Sequence, residues 1–430
     1  MLIYSTIGSL PHYTVVRIIR EAYNKGDFAM KTNKKLIGIL VCIVVIALGT
    51  WLLFMMTFAT ESRSIPADLT AHELVSRMGA GWNLGNTFDA WALPGARLQG
   101  EIYDVETFWL GGRGNRTTQT LIQEVRRAGF DTLRVPVTWS KVADPEDNWA
   151  IRQDWMERVQ QVVDWALEED MFVILNTHHE NTVLELDVPD ASSNTHPGNQ
   201  FVANIWRQVA EHFIEYDERL IFASLNEPRH EGGQQEWSGG TQLVRNNVNY
   251  LNQVFVDVVR TTGGNNRHRI LQVPTVAAGA TPSGMRDFIV PDDPLNDVNK
   301  IVWSIHTYSP FAWAHDGRGT YDGPRRIVTD LNNVQTNANR LGIPVILGEW
   351  GSISRYMGND PDQDLRDSQR PIHAEDYVRE ATNRGFPTIW WDNGGFTGGA
   401  HTFGIIRRMY PHEIAYQAVV DGIMAGLGER

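Results

Sequence analysis

Cysteine is all but missing: among 430 residues there is one, Cys42, and it falls inside a hydrophobic N-terminal stretch. The rest of the chain has no thiol, which excludes disulfides, thiolate nucleophiles and Cys-ligated zinc from it. Positive charge is also scarce. The formal net charge is −13, and residues 60–430 carry 32 Lys and Arg against 49 Asp and Glu, a net of −17. An acidic body repels phosphate backbones, so nucleic acid is not an expected partner. No low-complexity linker follows residue 68, and no His-Glu-x-x-His pair offers a metal-binding helix. With 42% apolar and 10% aromatic residues, the chain has ample material for a large core.

Charged side chains are absent from Leu36 to Ala59, a run preceded by Lys31, Lys34 and Lys35. At about 1.5 Å per residue such a run spans a bilayer, and it exceeds the roughly 7–15 apolar residues of a cleavable signal. Thr57-Phe-Ala59 nevertheless resembles a cleavage site, so signal peptide and membrane anchor both stay open. Either way the basic flank remains cytoplasmic and the body is exported, to the extracellular space or the outer face of the membrane. Met30 opens Met-Lys-Thr-Asn-Lys-Lys, a normal basic start, whereas residues 1–29 look like neither targeting sequence nor packed domain. Our hypothesis is that translation begins at Met30; an intact mass that includes residues 1–29 would contradict it. The organisation is then a cytoplasmic segment 1–35, a hydrophobic segment 36–59, a linker 60–68 and one domain 69–430.

Eight short apolar runs recur in that domain: Met78–Asn83, Asp131–Val135, Phe172–Asn176, Leu220–Leu225, Arg269–Val273, Ile301–Ile305, Val345–Gly348 and Thr388–Trp391. Their continuous hydrophobicity suits strands buried on both faces. Between them lie helical patterns over Thr118–Ala128, Gln153–Asp170, Asn199–Tyr216, Leu243–Arg260, Arg326–Leu341, His373–Arg384 and His412–Ala425. Pro274–Lys300, rich in Pro, Gly and Asp, shows no convincing helix. Strands alternating with helices predict an α/β fold, a (β/α)8 TIM barrel, with a doubly wound sheet as the alternative.

A barrel gathers functional residues just after its strands. Glu227 closes Leu220-Ile-Phe-Ala-Ser-Leu-Asn-Glu-Pro228, and Glu349 closes Ile343-Pro-Val-Ile-Leu-Gly-Glu-Trp-Gly351. Two carboxylates facing one bond are the minimum for cleaving a glycosidic linkage: one protonates the leaving oxygen, the other attacks or activates water. Arg134 would keep a neighbouring carboxylate ionised, and Tyr308 would donate a hydrogen bond to it. His178 and His306 would orient an acid or bond sugar hydroxyls, and Asn226, beside Glu227, is placed for a sugar 2-OH. Each has a plainer reading. Glu227 would cap the turn before Pro228, Arg134 would form a structural ion pair, and His178-His179-Glu180 would bind a metal. No further ligand cluster supports the metal, and no cofactor is expected.

Of 15 tryptophans, Trp82, Trp155, Trp165 and Trp206 are expected in the core. Trp91, Trp109, Trp139, Trp237, Trp313, Trp350, Trp390 and Trp391 fall in or near rim segments, where a flat ring stacks on a pyranose face.

Together with Gly81-Trp-Asn-Leu-Gly-Asn-Thr87, these motifs make the chain from Leu69 onward resemble a family 5 glycoside hydrolase, subfamily 4, an endo-β-1,4-glucanase group needing no metal or cofactor. The resemblance implies Glu227 as acid/base and Glu349 as nucleophile, surrounded by Arg134, His178, Asn226, His306 and Tyr308. It further implies Asn83 and His179 as substrate contacts and a ring of the Trp390-Trp391 pair, Trp391 by preference, as the floor beside the scissile bond. Trp139 and Trp313 complete the expected substrate surface. Glu106-Thr-Phe-Trp-Leu-Gly-Gly-Arg113 departs from the family's Glu-Thr-x-Trp-Gly motif and follows a longer insert, Ala92–Val105, which bears on glucan preference. The expectation is an exported, retaining, monomeric endoglucanase acting on β-glucan. A xyloglucanase, mannanase or xylanase on the same scaffold is the alternative. Other classes are a noncatalytic carbohydrate-binding barrel and a metal-dependent amidohydrolase.

Overall fold

The computed structural model describes residues 64–91, 100–355, 363–396 and 401–428. The predicted hydrophobic segment 36–59 and the start at Met30 lie outside them. Among the described residues no helix is long and apolar enough to cross a membrane.

Eight parallel strands close into a barrel: β1 Ala80–Leu84, β2 Thr132–Val135, β3 Phe172–Asn176, β4 Leu220–Ala223, β5 Leu271–Gly279, β6 Ile301–His306, β7 Val345–Trp350 and β8 Thr388–Asp392. Each pairs with its neighbours in sequence, and β8 closes on β1 through Gly81 opposite Ile389 and Asn83 opposite Trp391. Every predicted strand is present. The unbroken apolar runs follow from burial on both faces, the interior on one side and the helices on the other.

The strands alternate with α1 Gln119–Arg127, α2 Gln153–Glu168, α3 Pro197–His212, α4 Gln242–Thr261, α5 Pro282–Asp287, α6 Arg325–Leu341, α7 Gln363–Thr382 and α8 Gln417–Gly426. The segment where no helix was expected holds only the six residues of α5, while β5 runs on to Gly279. The barrel survives because α4 and α6 flank this short crossover and both touch α5.

Barrel interior and exterior pack as separate clusters. Ile174, Ile221, Val302, Ile346 and Ile389 point inward and meet Ile65, Leu69, Leu74, Val75 and Met78 from the segment before β1. A short helix, Ala71–Val75, anchors that segment; its N-cap Thr70 and Glu73 bond each other's backbone amides. The buried Lys300 ammonium donates to the carbonyls of Pro66 and Leu69. One mouth is thus plugged, and the strand C-termini are left to build a cleft at the other.

Candidate active site

Arg134, on β2, organises the cleft floor. Its Nη1 donates to Oε1 of Glu349 on β7 at 2.7 Å and to Oδ1 of Asn83 on β1 at 2.8 Å. Nη2 donates to Oδ1 of Asn226, just past β4, at 2.7 Å. A guanidinium has donors enough to tie three strands at once. The second oxygen of Glu349 accepts from the Tyr308 hydroxyl at 3.0 Å. Burial first, then the Glu349 and Glu227 charges, push the Tyr308 hydroxyl well above its ordinary pKa, so it stays a donor.

Glu227 faces this assembly. His306 Nδ1 lies 2.9 Å from Glu227 Oε1 and 3.7 Å from Glu349 Oε2. One oxygen of Glu227, one of Glu349 and one ring nitrogen of His306 all lie within 4.8 Å of one another. Burial raises the Glu227 pKa, opposed by Arg229, Arg134 and His315. Burial likewise drives His306 down to about 4, so its ring is neutral at neutral pH. The two carboxyls therefore differ in surroundings: Glu349 accepts two strong donors, whereas Glu227 sits against a neutral ring. Burial thus favours the protonated form of Glu227.

A third carboxylate joins the site. Asp89, in the turn after β1, is fully buried, accepts from the amides of Asn86 and Thr87, and holds Oδ2 3.8 Å from Nε2 of both His178 and His179. Its oxygen and the two ring nitrogens fall within 4.8 Å, so the metal-capable partner of the His pair is Asp89. Glu180 instead turns back to accept from the Ser140 amide. Burial raises the Asp89 pKa to about 7 and lowers His179 to about 3. Asp89 lies inside the Gly81–Ala90 motif, but nothing in the spacing marked it; it reaches the cleft because the chain turns back after β1.

The aromatic expectations divide. Trp391 is half-buried and lies parallel to His178, ring centroids 5.6 Å apart. His178 meets His179, and His179 meets Trp109, at 4.4 and 5.6 Å between centroids. These rings form one continuous aromatic series, Trp391, His178, His179 and Trp109. Three expected substrate rings do not present a face. Trp390 is fully buried, with Nε1 donating to the Phe403 carbonyl. Trp139 is fully buried and bonds the Asn176 carbonyl. Trp313 lies beneath the Arg366 guanidinium, 4.5 Å away. Adjacent strand residues point to opposite sides, so only one of Trp390 and Trp391 can reach the cleft. Trp350 is likewise core, and Trp165, expected there, is only partly buried beside Arg158. Asn83 is buried and bonds Arg134 and the carbonyls of Gly348, Ile389 and Trp390, so it positions rather than touches a substrate.

On the Glu227 side the cleft opens into a cavity of about 640 Å³ walled by Trp237, Ala277, Tyr308 and Phe311. Ala277 and Ala278 both hold left-handed backbone, with φ of 55° and 46°, and the Ala277 amide donates to the Pro228 carbonyl. Non-glycine residues in that region are strained, and such strain concentrates at functional clefts.

Residues 93–397 match the family model for cellulase, glycosyl hydrolase family 5. The cellulase/esterase CelE of Acetivibrio thermocellus is 36% identical over 369 residues, 84% of this chain and 41% of that protein. Endoglucanase A of Clostridium longisporum is 37% identical over 349 residues, 79% of this chain and 62% of that protein. The chain thus spans less than two thirds of the length of either. Among solved structures, the GH5-4 broad specificity endoglucanase from Ruminococcus champanellensis with bound cellotriose aligns with a TM-score of 0.74 at 35% identity, covering 83% of this chain and 99% of that one.

Proposed function

The chain belongs to glycosyl hydrolase family 5, and from that footing we propose that it is a subfamily 4 endo-β-1,4-glucanase working by double displacement. The observation that carries the reading is the carboxyl pair at the ends of β4 and β7. Oxygens of Glu227 and Glu349 approach within 4.8 Å, which accords with the roughly 5–5.5 Å of retaining enzymes and not the roughly 6.5–9.5 Å of inverting ones.

Glu349, whose two oxygens accept from Arg134 and Tyr308, attacks the anomeric carbon from below. Glu227 gives its proton to the departing glycosidic oxygen, the C–O bond breaks, and a glycosyl ester of Glu349 forms. Glu227, now a carboxylate, takes a proton from water as that water attacks the same carbon. The ester breaks, Glu349 is freed, and the β-configuration is restored. Asn226, fixed by Arg134, is positioned to bond the 2-OH, and Trp391 supplies the floor. No step calls on a metal.

A noncatalytic binding barrel has no use for two carboxyls facing each other across one imidazole. The substrate proposed is an unsubstituted β-1,4-glucan chain, cleaved internally because the cleft is open past Glu227. Relatives at this distance include a xyloglucan-specific enzyme and a lichenase. A panel of carboxymethylcellulose, mixed-linkage glucan, xyloglucan, xylan and mannan therefore tests the choice. Highest activity on carboxymethylcellulose supports it, and activity confined to mannan or xylan contradicts it. Polysaccharides do not enter cells, which supports an exported enzyme, anchored or released according to the fate of residues 36–59.

A further inference from the structure

The loop after β4 carries a charged and aromatic assembly that the double displacement leaves unused. Arg229, two residues beyond Glu227, donates from Nη1 to the Glu227 carbonyl at 3.0 Å, and the same nitrogen lies 3.9 Å from Glu227 Oε2. Its Nε donates to Glu236 Oε1 at 2.9 Å and its Nη2 to Glu231 Oε1 at 3.3 Å. Asn181 braces the arrangement, accepting from the Arg229 amide and donating to Glu231. The guanidinium carbon stands 4.2 Å over the Trp237 ring. Trp237 is 60% exposed, yet it walls the same cavity as Glu227. One face of the indole thus rests on the cation, and the ring stays open to whatever fills the cavity.

A proton donor placed beside a cation releases its proton more readily, and two acids on that cation mute the effect. Water in the cavity weakens the attraction further; a sugar that displaces it strengthens the attraction. Resting on the glycosidase reading above, we propose that Trp237 is the platform for the leaving-group sugar. Arg229 is then a positioning residue through which that side of the cleft acts on Glu227, with Glu231 and Glu236 setting how much of the guanidinium charge arrives. The carboxylate that develops as Glu227 protonates the leaving oxygen forms 3.9 Å from Arg229. The other groups facing Glu227 are His306, Glu349, Tyr308, Arg134 and His315.

The test is the alkaline limb of kcat/KM against pH on a cello-oligosaccharide. Arg229→Gln removes the cation and should move the limb to higher pH by about half a unit or more. Glu236→Gln leaves the cation less neutralised and should move it to lower pH, while Arg229→Lys keeps the charge and should hold the limb near the wild-type position. Trp237→Ala should raise KM for oligosaccharides long enough to cross the cleft more than for an aryl cellobioside. Unmoved limbs in Arg229→Gln and Glu236→Gln, with activity reduced equally at every pH, would overturn the inference. So would equal KM changes for long and short substrates in Trp237→Ala, a surface change that leaves the core intact. Failure of the glycosidase reading shows differently, as a wild-type protein inert on every β-glucan.

Discussion

Arg134 Nη1 and Glu349 Oε1 are 2.7 Å apart with both side chains almost wholly buried, and the same guanidinium holds Asn83 and Asn226. One side chain thereby sets a guanidinium against the proposed nucleophile and fixes the pose of the amide proposed for the sugar 2-OH. Arg134→Ala should lower kcat/KM by about two orders of magnitude or more, equivalent to ~3 kcal/mol for a lost charge-assisted contact. Arg134→Lys should recover little, because an ammonium lacks the planar fork. Steady-state kinetics with a thermal melt checks both; wild-type kcat/KM in the lysine variant would contradict the role.

Trp390 and Trp391 are adjacent but face opposite ways, which separates their effects. Trp391→Ala should cut kcat/KM on cello-oligosaccharides by about tenfold or more with a small change in Tm, since the ring is only half-buried beside His178. Trp390→Ala should lower stability by ~3–5 kcal/mol, as expected for a large buried ring. Urea unfolding set beside kinetics reads the two; a stability loss in Trp391→Ala equal to that in Trp390→Ala would contradict the assignment.

These particulars mark how far the sequence reached. The strands were readable because burial on both faces leaves unbroken apolar runs; Glu227, Glu349 and Tyr308 stood out because each comes at or after the end of such a run, and Arg134 because it is the one cation inside its run. Trp139 and Trp313 also follow strands, yet their rings turn beneath the rim; proximity to a strand end does not say which way a side chain points. Asp89 and Arg229 depend on the path of loops, which no periodicity encodes. The short α5 went unseen because a crossover of Pro, Gly and Asp with a six-residue helix carries almost no helical signal.

Glu180 is buried, its Oε2 has no hydrogen-bond partner, and burial raises its pKa from 4.5 to about 7. A carboxyl with a raised folded-state pKa contributes stability fully present below about pH 4.5 and lost as pH rises to about 7. Glu180→Gln has no proton to lose there. Wild-type stability should therefore fall relative to the variant by about 1–3 kcal/mol between pH 4.5 and 7. Parallel Tm curves for the two proteins would contradict the buried, protonated carboxyl.

Removing the proton donor should matter only where protonation is needed. Glu227→Ala should retain much of its glycosylation rate on an aryl cellobioside with an acidic phenol leaving group, and lose about a thousandfold or more on cellotetraose. Equal losses on both substrates, measured by single-turnover kinetics, would count against Glu227 as the acid.

The assignment of Glu349 as nucleophile is tested most directly by the product that azide forms with Glu349→Ala and an activated aryl β-cellobioside. Azide should occupy the space left by the carboxylate and restore turnover from below the ring. The expected adduct is the inverted, α-configured cellobiosyl azide, identified by its anomeric proton coupling. A β-configured azide would mean that Glu349 does not attack the sugar, and would contradict the double displacement built on the Glu227–Glu349 pair.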